Sequence, residues 1–362
     1  MTNTRQARAR SGGPAFRRLP ADHYVDGILS GNRAVLGRTF SVIESDSPYD
    51  EELAEQILER VLPRTGKSRR IGISGVPGSG KSTLIDALGI YLLRERGENV
   101  AVLSIDPSSP ISGGSILGDK TRMERLSGEP NAFIRPSPSR GYLGGVAHRT
   151  RECMLVCEAA GYKNVLIETV GVGQSETEVT SMTDFFLLLM IPGAGDELQG
   201  IKRGIIEMVD GIVINKADGE NVNAANRARG QYESALRMLA PNREGLTAGV
   251  LTCSALENRG IGEVWQMILD HLAQQEARGQ LRERRQAHAL TWMQELISSG
   301  LSELFHDAPA IQERLAQLER SVGVGTTTPV KAARELLDVY RDWIQGPSVE
   351  PTTGDQKYNQ SF

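Results

Sequence analysis

The chain has 362 residues, a formal net charge of −4 and 39% hydrophobic residues, which suits a soluble intracellular protein built as one large domain with appendages. The charge balance argues against bulk nucleic-acid binding, which needs a basic field. Cys153, Cys157 and Cys253 make an odd set of three, so no disulfide framework is expected and a reducing compartment fits best.

Arg5, Arg8, Arg10, Arg17 and Arg18 precede the first acid, Asp22. Without a clear amphipathic helix, residues 1–19 read as a disordered basic arm in preference to a transit peptide, and the expected location is cytoplasmic, with an organelle matrix as the lesser alternative. Residues 20–66 carry apolar positions at helical spacing (Tyr24, Ile28, Leu53, Ile57, Leu58, Val61) and close at Pro63 and Gly66, the pattern of a helical lead-in.

From 67 to 272 the chain alternates strand-like runs with helix-length segments. The runs are Ile71 to Ser74, Val100 to Ile105, Val165 to Glu168, Phe185 to Ile191, Gly211 to Ile214 and Ala248 to Thr252. Such alternation predicts an α/β fold with a mainly parallel, doubly wound sheet and ligands at the carboxyl ends of its strands. The longest apolar run, Phe185 to Pro192, is strand-sized, so no membrane partner is expected.

After Ile261 the pattern is nearly all helical. Trp265, Ile268, Leu269 and Leu272 share a face, followed by Trp292, Leu296 and Leu301. The charged stretch Glu276 to Arg285 reads as a solvated helix or linker. A break at Gly323 to Thr326 precedes a last helix, from about Pro329 to Trp343. Residues 273–345 thus form a helical arm, and 346–362 a disordered tail.

Residues 75–83 (Gly75, Val76, Pro77, Gly78, Ser79, Gly80, Lys81, Ser82, Thr83) are a complete G-x-x-x-x-G-K-[ST] phosphate loop between a strand and a helix. The glycines let backbone N–H groups surround the β-phosphate, Lys81 reaches the β- and γ-phosphates, and Ser82 offers a hydroxyl to Mg²⁺. The base is indicated by Asn215-Lys216-Ala217-Asp218, directly after an apolar strand. In an N-K-x-D element the aspartate accepts from the N1–H and N2 amine of guanine, a donor pair adenine lacks. A buried acceptor left unpaired costs about 1–3 kcal/mol, more when charged, which disfavours ATP. Ser254, Ala255 and Leu256, at the next strand end, would present N–H groups to guanine O6. The expected ligand is therefore GTP or GDP with Mg²⁺.

Three carboxylates follow strands near the presumed phosphates: Asp106, Asp119 and Glu168. Each is placed to help hold Mg²⁺ or its waters, while Asp106 and Asp119 also fit as turn or cap residues. For hydrolysis, Gln174 fits either water placement or a hinge contact, and Arg122 and Lys202 are available as charge.

Four longer segments carry a family resemblance: Asp106-Pro107-Ser108-Ser109, Gly113 to Met123, Glu168-Thr169-Val170-Gly171-Val172-Gly173-Gln174-Ser175-Glu176, and Pro192 to Lys202. Over residues 20 to 345 the chain resembles the ArgK/MeaB P-loop GTPases that accompany adenosylcobalamin-dependent methylmalonyl-CoA mutase. The resemblance implies a P-loop GTPase sheet with a helical dimerisation arm, hence a homodimer. It places Asp106, Asp119 and Glu168 at the metal and Gln174 in the second switch. Residues 192–203 become a third switch, with Lys202 moving toward the nucleotide, that reports to an adenosylcobalamin-dependent acyl-CoA mutase. Two rival readings are a kinase tied to basic amino-acid transport, for which no phosphoacceptor residue stands out, and a nickel-insertion GTPase. The nickel reading is weakened by scattered histidines and by Cys153 and Cys157, whose i, i+4 spacing suits a helix core.

Overall fold

The computed structural model describes residues 18–106, 123–138, 145–169, 175–193, 203–239 and 248–345. These fall into two compact units, one ending at His288 and one beginning at Ala289.

The first unit opens with helices α1 (Ala21–Leu29), α2 (Arg33–Ile43) and α3 (Pro48–Val61). The Asn32 side chain accepts from Ala34 N and Val35 N and so starts α2; Pro48 at the first position and Asp50 and Glu51 in the first turn start α3. Arg18, in the basic stretch, binds Asp50 through both carboxylate oxygens at 2.6 and 2.5 Å. Apolar residues of these helices join one core with Cys153, Val156 and Cys157 of the helix Gly145–Ala159. Burial pushes all three thiols up, that of Cys253 to about 12, so the cysteines behave as apolar core groups.

Seven parallel strands form the sheet: β1 (Arg69–Gly75), β2 (Val100–Asp106), β3 (Ala132–Pro138), β4 (Asn164–Thr169), β5 (Phe185–Met190), β6 (Gly211–Ile214) and β7 (Gly249–Thr252). Their order is β3-β2-β4-β1-β5-β6-β7. Every residue of β4, β5 and β6 is buried, as a sheet covered on both faces requires. The order changes direction at β1, which lies between β4 and β5, and this switch point is where α/β sheets bind ligands. Helix α4 (Lys81–Arg94) follows β1 on one face of the sheet.

Six of the strands match the sequence pattern; β3 does not. It contains Pro136 and Pro138, which remove ladder donors, and it lies at the sheet edge beside β2, where proline is tolerated.

The charged stretch Glu276 to Arg285 also differs from expectation. Arg282 and Glu283 are exposed, but Arg285 clasps Asp184 at 2.8 and 2.6 Å and donates to the carbonyls of Gly66 and Ser68. Arg284 reaches Asp210 at 3.2 Å. Asp184 and Asp210 are buried at the amino ends of β5 and β6 and accept the amides of Arg70 and Phe186, so they require cationic partners.

The second unit contains the rest of the helix Gln280–Asp307 and the helices Pro309–Gly323 and Pro329–Gln345. Its small core holds Ile311, Leu318, Ala332 and Leu336. No described helix is long and apolar enough to cross a membrane.

Candidate active site

The phosphate loop leaves β1 at Gly75 and runs into α4. Pro77 and Gly78 are exposed at its tip, whereas Val76 and Ser79 are buried beneath it, with Ser79 N donating to Val76 O at 3.1 Å. Gly80 has φ +89, and a Cβ there would lie 2.6 Å from Asn215 Nδ2. Conformation and space both demand glycine at this position. Lys81, the first residue of α4, is 9% exposed, and its ammonium donates to Gly75 O at 2.7 Å and Val76 O at 3.2 Å. The cation therefore lies inside the loop at the positive end of a helix, an arrangement suited to anions. Thr83, two residues on, faces solvent.

Ser82 and Glu168 come together at the ends of α4 and β4. Ser82 Oγ donates to Glu168 Oε1 at 2.9 Å, and Glu168 is 5% exposed. The pair is an all-oxygen donor set, a hydroxyl beside a buried carboxylate, which is the chemistry a hard cation such as Mg²⁺ takes. Asp106 is the last residue of β2, with its backbone alone described. Asp119, Arg122, Gln174 and Lys202 lie outside the described residues.

On the other side of the phosphate loop, β6 and β7 deliver the two base elements. Asn215 is 2% exposed and its amide bonds in two directions: Nδ2 donates to Ser79 O at 2.8 Å, and Oδ1 accepts from Ala255 N at 3.0 Å. Lys216 adopts φ +59 with its side chain exposed. Asp218 Oδ2 accepts from Ser254 Oγ at 2.6 Å, and Ser254 Oγ in turn accepts from Glu257 N at 3.1 Å. Ala255 is buried and Leu256 exposed. Asn215, Asp218, Ser254 and Ala255 are thus one connected cluster joined to the phosphate loop through Asn215, and the Ser254 and Ala255 amides expected to face guanine O6 instead donate to Arg259 O and Asn215 Oδ1.

Two members of this cluster carried no sequence signal of their own. Cys253 exchanges backbone bonds with Ile214 and Ala217 and directs its thiol to Asn215 Oδ1 at 3.4 Å. Arg259 donates to Ala217 O and pairs with Ser254 in an isolated antiparallel bridge. In the sequence, the turn-forming Asn258 and Gly260 on either side of Arg259 are the available sign of that bridge, and Asn258 adopts φ +53 there.

A family model described as methylmalonyl Co-A mutase-associated GTPase MeaB matches residues 36–310, which span the phosphate loop and both base elements. The chain belongs to this family. It is accordingly a GTP-binding and GTP-hydrolysing enzyme. The protein called GTPase ArgK in Escherichia coli is 51% identical over 266 residues, covering 74% of this chain and 80% of that protein. The methylmalonic aciduria type A homolog, mitochondrial, of Mus musculus is 44% identical over 330 residues, covering 88% of this chain and 79% of that protein. Among solved structures, that of a protein called LAO/AO transport system kinase aligns with a TM-score of 0.71 and 38% identity, covering 89% of this chain and 98% of that one. Within this MeaB-family GTPase, the α/β sheet and phosphate loop are the shared P-loop framework.

Proposed function

We propose that this GTPase acts as a nucleotide-dependent chaperone for an adenosylcobalamin-dependent acyl-CoA mutase, gating cofactor loading and protecting the mutase, with methylmalonyl-CoA mutase as the first candidate client. The observation that carries the reading is the family match over residues 36–310, whose description names that mutase; the name of the mouse relative points to the same chemistry. The proposal includes a homodimer, formed through the helical arm after residue 273, and a cytoplasmic location.

Phosphoryl transfer from GTP to water needs little covalent help from the protein, so rate depends on positioning and on neutralising charge. Lys81 and the loop amides are assigned to the β- and γ-phosphates. Ser82 is assigned as a direct ligand of Mg²⁺, with Glu168, Asp106 and Asp119 holding the ion or its waters; bound there, the ion neutralises phosphate charge. Asp218 reads the guanine edge, backed by Ser254, and Asn215 keeps that reading in register with the phosphates. Gln174 is assigned to water placement, and Lys202, in the third-switch segment 192–203, to charge on the γ-phosphoryl group. With positioning supplied in part by that segment, intrinsic hydrolysis is slow and stimulated by the client.

The structural relative is called a transport system kinase, but an acceptor aspartate paired with Ser254 favours guanine chemistry in this chain. The test is GTP turnover with and without the purified mutase from the same organism, together with adenosylcobalamin loading of that mutase in the GTP and GDP states. Only differential affinity for the two states transmits a signal, typically about 1–3 kcal/mol of coupling. Absence of both stimulation and a nucleotide effect on loading would reject the client.

A further inference from the structure

The ladder between β1 and β4 runs from Arg69↔Asn164 to Ile73↔Glu168 and ends there. The next residues on the two strands, Ser74 and Thr169, lie where the chain leaves β1 for the phosphate loop and where β4 ends. A side-chain contact continues the junction at this point: Thr169 Oγ1 donates to Ser74 Oγ at 2.9 Å. Ser74 Oγ donates onward to Glu176 Oε1 at 3.3 Å. Ser74 and Thr169 are 0% exposed and Glu176 is 1% exposed.

Side chains alternate along a strand. Glu168 therefore points toward α4 and meets Ser82, while its neighbour Thr169 points to the opposite face and meets Ser74. Glu176 sits on the helix Ser175–Thr180, which packs so closely on β1 that a Cβ on Gly72 would come within 2.5 Å of Val179 Cγ1. A fully buried carboxylate is a poor choice for plain packing, because its charge must be compensated by donors. Here one of its donors is the hydroxyl that fixes Thr169.

We propose that Glu176, acting through Ser74 and Thr169, is a positioning residue that sets Glu168 against Ser82 and so tunes the affinity of the metal site. This rests on the reading of Ser82 and Glu168 as the Mg²⁺ pair. Outer residues that orient metal ligands typically change metal affinity about 10- to 100-fold when removed.

The experiment titrates Mg²⁺ against the affinity of the full-length protein for a fluorescent GDP analogue, and repeats the measurement in EDTA. It compares Ser74→Ala, Glu176→Ala and Glu176→Gln with the unmodified protein, with Glu168→Ala as the control. The Mg²⁺ midpoint rises about tenfold in Ser74→Ala and Glu176→Ala, while affinity in EDTA changes less than about twofold. Glu176→Gln restores most of the midpoint, since its amide oxygen still accepts from Ser74. If Glu168→Ala shifts the midpoint and the other variants do not, the positioning role falls and the metal pair stands. If Glu168→Ala also leaves the midpoint unchanged, both fall. A loss of affinity in EDTA equal to the loss in Mg²⁺ would assign Ser74 and Glu176 to general pocket stability and overturn the proposal. Should Glu176→Ala fail to fold, Ser74→Ala and Glu176→Gln decide the matter.

Discussion

Asn215 Nδ2 donates to Ser79 O at 2.8 Å while the same amide's oxygen accepts from Ala255 N at 3.0 Å. One buried side chain therefore holds the phosphate loop and the loop after β7 at a fixed spacing. In Asn215→Ala both backbone groups lose their partner in a buried place, each at a cost of about 1–3 kcal/mol. GTP and GDP affinities fall together, and the preference for guanine over adenine narrows because the base elements lose their register with the phosphate loop. Fluorescent-nucleotide titrations check this, and unchanged GTP and GDP affinities would contradict it.

Asp218→Asn separates base reading from that scaffold. The carboxylate that accepts from Ser254 Oγ becomes an amide able to donate to the extra carbonyl of xanthine. Loss of two charge-assisted bonds, about 1.5–3 kcal/mol each, weakens GTP at least about a hundredfold, and xanthosine triphosphate becomes the better ligand. Competition binding with GTP, ATP and xanthosine triphosphate decides. Equal affinity of the unmodified protein for GTP and ATP would remove the assignment.

At the phosphates, Lys81→Ala abolishes useful turnover while the protein stays folded. Its ammonium bonds Gly75 O and Val76 O, so a stability loss of about 1–3 kcal/mol accompanies the substitution. Glu168→Ala lowers hydrolysis more than GTP affinity, because Glu168 meets Ser82 Oγ, the assigned Mg²⁺ ligand. Single-turnover rates and circular dichroism melts test both variants; unmodified turnover in both would displace the site.

Local signals carried most of the site into view. Gly75 to Thr83, Asn215 to Asp218 and Ser254 to Leu256 each occupy one continuous stretch at a strand end, so spacing alone exposes them. Strand β3 stayed hidden because Pro136 and Pro138 mimic a loop, and proline fits there through edge position, a tertiary property. The partner of Arg285, Asp184, is 101 residues away in sequence, and no periodicity links them. The same holds for Ser74, Thr169 and Glu176, brought together by strand register and by the helix that follows β4.

The charged cluster at the amino ends of the strands gives a pH prediction. Burial, with Arg284, Arg151 and Arg70 nearby, pulls the His288 imidazole down to about 4 against the opposing pull of Asp184. The unfolded chain binds this proton near the ordinary value of about 6.5. The stabilisation from neutral His288 is therefore complete above that value and is lost as pH falls toward 4. Melting temperature declines between about pH 6.5 and 4, and His288→Gln makes that decline shallower. An unchanged pH slope in the variant would exclude His288 as a contributor.

In the helix Gln280–Asp307, the side chains of Leu290, Met293, Ile297, Leu301 and Leu304 are each 46–62% exposed. They recur at steps of three or four residues, the spacing of one helix face. At about 1.5 Å per residue the stripe is about 21 Å long. A continuous apolar stripe of this kind marks an interaction surface, and pairing with its own copy is the closed arrangement commonest among soluble oligomers. At micromolar concentration the protein sediments at twice its chain mass of 39.4 kDa, and Ile297→Glu with Leu301→Glu shifts it to a single chain. Both substitutions lie on exposed positions, so the melting temperature of the monomeric variant tracks loss of the partner rather than damage to a core. Sedimentation velocity on the two proteins is the check: an unmodified protein that runs as a monomer, or a double variant that still runs as a dimer, would show that this stripe does not join two subunits.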